Sequence, residues 1–482
     1  MVTPRIHTIV AVFGCATIAA FAMLVALHVT NPLGEYTEGI VLYLANSLAQ
    51  GEALYAPLGR SSFAIPVNYT PLYIELLATI GKITPLSYGL ARAVNVVIFA
   101  GIVAVCARLG WHMFRERMAV LLTIFLLVAP SIVLHHLLQA HVDALAILFD
   151  LSGILVVFRE RSRLRLLVAA ALFVLAWLTK PLMLAGVGAV LLLLIIEKRR
   201  RALLDFGIAY VCFLGAAIAA LQLTSAGWFL EHLRLTAVAS VMMWQSAGIM
   251  LGQILLWNGM VFVLAVFHAR TTPPRTHLLR LLLLTSAITS LAILRVGASY
   301  QYAFELLAVA AILAAGEILR LFRLLPRHRA SALMLAGFLL VLLPVGYVAI
   351  TIPIFAQKKE LHAEIASALS KYDQTALLEN SGLVSPDIST QPFEFFMVSQ
   401  LSRKNEWDEQ PFRKKIATHS FSAIVLETNI IDRTIGLADR LGRTRFTDGM
   451  MSDILASYTL ARTIPLSPTR SIWIFEPNRG TL

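Results

Sequence analysis

Mostly apolar stretches recur along the whole chain, and most approach the length of about 20 residues that a helix needs to cross a bilayer. The chain has 482 residues, 58% hydrophobic and only 14% charged, a composition that excludes an ordinary soluble protein. The pattern predicts a polytopic all-α membrane protein with about eleven transmembrane helices. The predicted spans are 8–28, 89–107, 118–134, 143–158, 166–179, 182–196, 206–224, 248–267, 279–294, 303–319 and 331–352.

Basic residues are concentrated in one set of the connections between these spans. The net charge of +12 could indicate nucleic-acid binding, but cations in short connections between spans instead retain them on the cytoplasmic side, so no nucleic-acid partner is expected. One set holds nineteen Lys and Arg residues, and the opposite set holds six in much longer loops. We therefore expect a cytoplasmic N-terminus and, because the number of spans is odd, an outer C-terminus. The nineteen are Arg5, Arg108, Arg115, Arg117, Arg159, Arg161, Arg163, Arg165, Lys198, Arg199, Arg200, Arg201, Arg270, Arg275, Arg280, Arg320, Arg323, Arg327 and Arg329.

Two long polar segments then fall on the outer side. The first is a loop over about 29–88, far longer than the usual connection of about 4–6 residues and therefore a candidate for function. The second is the tail, where apolar runs shrink to strand length at 375–378, 423–426 and 471–475, between helix-like stretches such as 358–369. The sequence therefore predicts a transmembrane domain over 1–353 and a small extracytoplasmic α/β domain over 354–482.

Within the first loop, residues 37–50 have apolar positions at the spacing of one helical face, and Gly51 follows as a stop. This pattern predicts an amphipathic helix at the outer membrane surface. Glu35 and Glu38 come at its start, where the helix dipole favours a carboxylate. They can be ordinary N-terminal charges in a solvated loop, or acids held at the mouth of a cavity between helices. The spacing leaves both readings open.

The order of several short motifs resembles the GT-C membrane glycosyltransferases, which include the protein O-mannosyltransferases and the aminoarabinose transferases. An acid is followed by Gly and the amphipathic helix, then by the segment NYTPLYIELL at 68–77, and then by Arg92 at the start of the second span. Three further motifs follow in order, and the resemblance covers most of the chain. They are HVDALAILF at 141–149, WLTKP at 177–181 and GASYQYAFEL at 297–306.

The resemblance implies transfer of a sugar from a polyprenyl phosphate donor to an acceptor hydroxyl on the outer face, with inversion of configuration. The acceptor would be a glycan, a lipid or a protein. The family often has an Asp-Glu pair in the first loop as the base, and here the pair is Thr37-Glu38. Glu38 is therefore the expected base and Glu35 the reserve. Asp143 is expected to orient the acceptor, the base or a divalent ion, although an acid at a span end can also be only interfacial.

The leaving phosphate needs a compensating cation, and three cations at outer span ends are candidates: Lys180, Arg92 and Arg295. Their alternative role is to anchor the spans at lipid headgroups. Five further residues, from the first loop and from the start of the tenth span, are expected to bind substrate, although tyrosines at an interface also anchor spans. These residues are Tyr69, Tyr300, Gln301, Tyr302 and Glu305.

No cofactor is expected to be required, with a divalent metal ion near His141 as the open alternative. The main rival function is a lipid or solute transporter, but such proteins usually carry internal repeats and midplane charges, whereas no such repeat is found here and the candidate charges gather at outer span ends. A non-catalytic scaffold is a third alternative. The charge pattern suits a bacterial inner membrane with the tail in the periplasm, in contact with membrane lipids.

Overall fold

The computed structural model describes most of the chain and confirms a mostly helical membrane fold with a small C-terminal sheet. Five of the described helices are long and apolar enough to cross a membrane: Tyr88–Phe114, Arg200–Thr224, Ser246–Thr271, His277–Leu294 and Tyr300–Leu324. The count of eleven spans stays a prediction. The described residues are 4–57, 66–159, 162–242, 244–271, 277–295, 297–324, 327–372, 375–383, 391–431, 445–467 and 470–478.

Each predicted span contains a helix, although the span predicted over 118–134 is interrupted between Val128 and Ile132, and the connections between spans contain shorter helices. The helices up to residue 369 are α1 (Pro4–Thr30), α2 (Tyr36–Ala49), α3 (Leu72–Gly81), α4 (Tyr88–Phe114), α5 (Arg117–Val128), α6 (Ile132–Leu137), α7 (Asp143–Arg159), α8 (Arg163–Thr179), α9 (Ala185–Ile196), α10 (Arg200–Thr224), α11 (Trp228–Ala239), α12 (Trp244–Thr271), α13 (His277–Ser290), α14 (Phe304–Leu324) and α15 (Arg327–Leu369). Two 3₁₀ turns, Leu291–Leu294 and Tyr300–Ala303, lie between α13 and α14.

Helix α14 is the most buried of the long helices and forms the centre of the bundle. Its small residues between Ala308 and Gly316, five alanines and one glycine, let neighbouring helices approach closely. It packs against α12, α5, α13 and α4, while α7 packs against α4 and α8, and α1 packs against α15. Helices α10 and α12 have their apolar side chains mostly exposed, as is usual for surfaces that face lipid.

The short helices α2, α3, α6 and α11 gather at one end of the bundle, which we call the loop end. Helices α2, α3 and α11 belong to the predicted outer connections, whereas α6 begins within the predicted span 118–134 and continues beyond it. Contacts join the segments around them: the Ala140 amide, after α6, donates to Glu38 at 2.7 Å, and the Val67 amide, before α3, donates to His232 at 3.0 Å. The loop end is where most of the predicted site residues meet.

The tail forms a five-stranded sheet with the order β2-β1-β3-β5-β4. Strand β1 is parallel to β2 and β3, whereas β5 is antiparallel to β3 and β4. The strands are β1 (Leu377–Leu378), β2 (Gln391–Pro392), β3 (Ile424–Leu426), β4 (Tyr458–Ser467) and β5 (Arg470–Pro477), and the helices among them are α16 (Phe395–Arg403), α17 (Gln410–Ala417) and α18 (Asp448–Ser457).

The sheet is covered on both faces because its side chains alternate between two cores. Ile424 and Leu426 of β3 face an aromatic core with Phe395 and Phe412 of α16 and α17. Val425 faces the opposite side.

The last turns of α15 supply the cover of this second face, with Ile365 and Leu369 in the same core as Val425. The helix predicted over 358–369 is therefore not separate: α15 runs without a break from the last span, through the predicted boundary at 353, to the sheet.

Candidate active site

Helix α2 begins at Tyr36, with Glu35 as its N-cap in an extended conformation. The Glu38 carboxylate reaches back and accepts the Glu35 amide at 2.9 Å, one half of a capping box. The helix ends at Ala49, and Gly51 follows in the left-handed region with φ of +93°. Because Glu35 and Glu38 lie three residues apart at the start of the helix, the local geometry gives their side chains different surroundings.

Glu38 is completely buried in an ion pair with Arg92. Arg92 Nε donates to one Glu38 oxygen at 2.8 Å and Nη2 donates to the other at 2.6 Å. With the amides of Glu35 and Ala140, the four acceptor positions of the carboxylate are filled. Burial raises the pKa of Glu38, but the charge and hydrogen bonds of Arg92 outweigh it and hold the pKa at about 2. This arrangement argues against Glu38 as the base, since an acceptor hydroxyl would have to displace an existing donor.

The hydrogen-bond donors of Arg92 are likewise all engaged. Its remaining N–H groups donate to the carbonyl oxygens of His28, Asn31 and Leu33 at 2.7–2.9 Å, so all five guanidinium donors have partners. The first two carbonyls lie at the end of α1, where a cation is favoured by the helix dipole. Arg92 therefore fastens α1, α2 and α4 together, and this geometry argues against its expected contact with a donor phosphate.

Glu35 is the more accessible of the two acids, with 41% of its side chain exposed. Its carboxylate lies 3.4 Å from His141 Nε2 and 3.7 Å from His136 Nε2. Burial raises the pKa of Glu35, but the hydrogen bond and charge of His141 and the charge of His136 bring it below its ordinary value. Glu35 is therefore an ionised, reachable carboxylate at neutral pH.

His141 connects Glu35 to the start of α14. Burial lowers the pKa of His141, but the hydrogen bond with Glu35 and the nearby carboxylates raise it above its ordinary value. Its other ring nitrogen, Nδ1, lies 3.2 Å from the Gln301 amide, and its carbonyl accepts from Asn95 at 3.1 Å. These contacts hold the imidazole between the first loop and the 3₁₀ turn that precedes α14.

A second polar group lies beside the first. Lys180, directly after α8, donates to Asp143 at 2.5 Å, and its ammonium sits 3.3 Å from the centre of the Tyr302 ring. The Tyr69 hydroxyl lies among Asn68, Tyr302 and Asp143. Since Gln301 and Tyr302 are adjacent, the contacts run from Glu35 through His141 and this turn to Lys180.

The other predicted substrate residues have different surroundings. The Tyr300 ring packs on His136 with 4.6 Å between centroids, and its hydroxyl donates to Gln253. Arg295 Nε donates to Ser240 at 2.8 Å, and within the described residues Arg295 forms no ion pair with a carboxylate. Arg295 therefore keeps donors that a phosphate could use.

Glu305 lies deeper, near Asp150 of α7 and Ser286 of α13. The structure thus brings Glu305 to a second buried carboxyl group rather than to the tyrosines. Sequence reasoning missed Asp150, although an acid inside an apolar run is a signal of a functional position in membrane proteins. It also missed Glu394, which accepts a hydrogen bond from Tyr36 across 358 residues of sequence and could not be found from local pattern.

Among the described residues, no three His, Cys, Asp or Glu side chains are arranged to hold a metal ion. His141, the residue proposed for this role, is instead held by Glu35 and Gln301.

Comparison with solved structures places the fold. The chain is similar to the aminoarabinose transferase ArnT from Cupriavidus metallidurans bound to undecaprenyl phosphate, with 13% identity, coverage of 98% of both chains and a TM-score of 0.57. The apo structure of the same enzyme matches with 11% identity, 96% and 97% coverage and a TM-score of 0.62. The oligosaccharyltransferase from Archaeoglobus fulgidus, tethered to an acceptor peptide, matches with 12% identity, 96% and 74% coverage and a TM-score of 0.56.

No family model matches the chain, and no curated protein matches its sequence. At 11–13% identity, the structural likeness shows the fold alone. The predicted GT-C fold is thereby confirmed over nearly the whole chain.

Proposed function

We propose that this protein is a membrane glycosyltransferase that moves a sugar from a polyprenyl phosphate donor to an acceptor hydroxyl. The observation that carries the proposal is the continuous set of contacts, within a GT-C fold, from the exposed carboxylate of Glu35 through His141 and Gln301 to Lys180 over Tyr302. A base and a cation linked by one set of contacts are the two charges that glycosyl transfer from a phosphate requires.

Glu35 is the proposed base, in place of Glu38. The acceptor oxygen attacks the anomeric carbon as the bond from that carbon to the phosphate oxygen breaks. The acceptor proton passes to the Glu35 carboxylate, and the electron pair of the broken bond leaves with the polyprenyl phosphate. His141 holds the Glu35 carboxylate in place and balances its charge before the reaction.

Lys180 is the proposed contact for the leaving phosphate. An ammonium group has three N–H donors, of which Asp143 accepts one, and the ammonium lies over the face of the Tyr302 ring. A further donor is therefore available to a phosphate oxygen. Arg295 is the second proposed cation, because its Nη donors are not engaged by a carboxylate in the described structure.

The orientation predicted from the charge pattern supports a lipid-linked donor. If the cationic connections are cytoplasmic, the loop end faces outward, where nucleotide sugars are not supplied and a lipid carrier can deliver the sugar. Because the solved ArnT structure contains undecaprenyl phosphate, a polyprenyl phosphate donor is the first class to test. The acceptor and the sugar are open within this proposal.

The proposal is tested with purified protein in lipid, radiolabelled polyprenyl-phosphate sugars and membrane extracts as acceptor. Glu35→Gln is compared with Glu52→Gln, a matched control on an exposed glutamate of the same loop. Donor binding is measured separately from sugar transfer. We expect Glu35→Gln to lower kcat by about 10²–10⁴-fold with donor binding retained, because a positioned base contributes about that much.

Lys180→Met is expected to weaken donor binding, with Lys371→Met on the exposed tail as its control. Glu52→Gln should transfer sugar at the wild-type rate. If wild type consumes no polyprenyl-phosphate sugar, the enzyme proposal fails, and lipid translocation in vesicles then tests the transporter alternative.

A further inference from the structure

The C-terminal sheet touches the start of α2, the segment that carries Glu35. The Gly34 amide donates to the Gly382 carbonyl at 2.8 Å, and Leu33 is buried in the same apolar core as Ile474 of β5. Tyr88 of α4 also donates to the Ser381 carbonyl at 3.1 Å. Backbone and core contacts of the tail thus hold the chain immediately before Glu35.

Two glycines make the approach close enough for these contacts. A Cβ on Gly39 would lie 2.4 Å from the Gly382 nitrogen and 2.5 Å from the Ser381 carbonyl carbon. A Cβ on Gly382 would lie 2.5 Å from the Glu35 carbonyl oxygen. Because the opposing atoms are backbone apart from the Ser381 hydroxyl, moving a side chain cannot make enough room, so any larger residue would separate α2 from the tail.

Tyr36, which follows Glu35, also contacts the tail. Its hydroxyl donates to Glu394, and the Arg445 guanidinium lies 5.3 Å from the centre of its ring. Arg445 in turn pairs with Glu379 at 2.6 Å.

The same network is anchored within the tail. Glu379 accepts the amides of Glu427 and Thr428 at 2.7 and 2.9 Å, and Glu394 accepts the Met397 amide at 2.5 Å. Tyr36 is therefore fastened to groups that are fixed by the sheet itself.

Glu35 is bracketed by these contacts while its own side chain turns away from them. Leu33, Gly34 and Tyr36 bind the tail, whereas the Glu35 carboxylate meets His136 and His141 of the transmembrane part. Detaching the tail would release the backbone on both sides of Glu35 and leave the carboxylate without a fixed direction.

We infer that the C-terminal sheet is a positioning element for Glu35, with Glu394 and Gly382 as positioning residues that act through Tyr36 and Gly34. This inference rests on the proposed function. It assigns the tail a part in the transfer step itself, in addition to any contact with the acceptor.

The test uses the full chain in lipid with three variants, Gly39→Ala, Glu394→Gln and Tyr36→Phe. Gly207→Ala is the matched control, since a Cβ at Gly207 meets no atom within 4 Å. The measurements are kcat, donor KM, the pH dependence of kcat and the hydrogen exchange of the α2 amides.

We expect kcat to fall by about 10–100-fold in Gly39→Ala, with donor KM unchanged, because a displacement of about 1 Å in a catalytic group can cost about 10²-fold. The acid limb of the kcat profile should move to higher pH, because Glu35 loses the contact with His141 that lowers its pKa. The α2 amides should exchange faster. A purely structural role would lower the amount of folded protein without moving the acid limb.

The experiment distinguishes failure of the positioning inference from failure of the proposed function. If wild type transfers sugar and the folded Gly39→Ala and Glu394→Gln variants match it in kcat and in acid limb, the positioning inference is overturned and the proposed function stands. If wild type itself transfers no sugar, the proposed function fails and the positioning inference fails with it. Tyr36→Phe provides a mild variant that keeps the ring over Arg445 should the other two not fold.

Discussion

Loss of the buried ion pair between Arg92 and Glu38 should lower the stability of the protein without changing its affinity for a donor phosphate. The change is Arg92→Met, which leaves the Glu38 carboxylate buried and three backbone carbonyls without their donor. The pKa of Glu38 lies at about 2 instead of 4.5. At about 1.4 kcal/mol per pKa unit, the native surroundings of this carboxylate favour its ionised form by about 3 kcal/mol. Removing one partner of a buried ion pair typically destabilises by about 3–5 kcal/mol, because the remaining charge is left buried without compensation.

The assay is unfolding in detergent followed by circular dichroism, with Arg92→Met, Glu38→Gln and the double variant compared. Each single change should destabilise by about 3–5 kcal/mol, and the double variant by clearly less than the sum, because both changes remove the same interaction. Donor binding by the folded fraction should be that of wild type. The reasoning is refuted if Arg92→Met melts like wild type but binds polyprenyl phosphate weakly, since Arg92 would then be a phosphate ligand.

Three further outcomes are expected. Glu38 should make the free energy of unfolding depend on pH. Its contribution to that free energy is complete above about pH 4.5 and is lost as the pH falls towards about 2. In Glu38→Gln, the free energy of unfolding should therefore fall less steeply with decreasing pH in this range. His232→Ala should destabilise by about 1–3 kcal/mol and speed proteolysis of the first loop, because two backbone groups of that loop lose their buried partner; unchanged cleavage would contradict this. Arg234→Ala should leave the melting temperature where it is, although Arg234 contacts Glu231 and Glu406, because these side chains are solvent-exposed and their attraction is screened; a large drop in melting would count against that reading.

The helices of the membrane part could be predicted because each depends on the local composition of one segment. A span must satisfy its backbone within itself in lipid, so the apolar run that forms it is visible in the sequence. The helix that follows Glu35 was equally visible, since an apolar face and a terminal Gly51 are local signals. The break expected between the last span and residue 358 is absent, because the sheet needs α15 to cover one of its faces.

The sequence by itself predicted a helical membrane protein with a GT-C fold, with acids at the start of the first loop and cations at the span ends. Tertiary structure decided which of these charges are available for chemistry. Glu38 and Arg92 have opposite charges on different helices that meet in the interior. Their hydrogen bonds with each other and with nearby backbone groups occupy all their donors and acceptors there. Glu35, three residues earlier, is directed to a half-exposed position by a sheet more than 340 residues away along the chain. The ion pairing and the exposure of these side chains depend on groups that are distant in the sequence, so the local sequence pattern does not predict them.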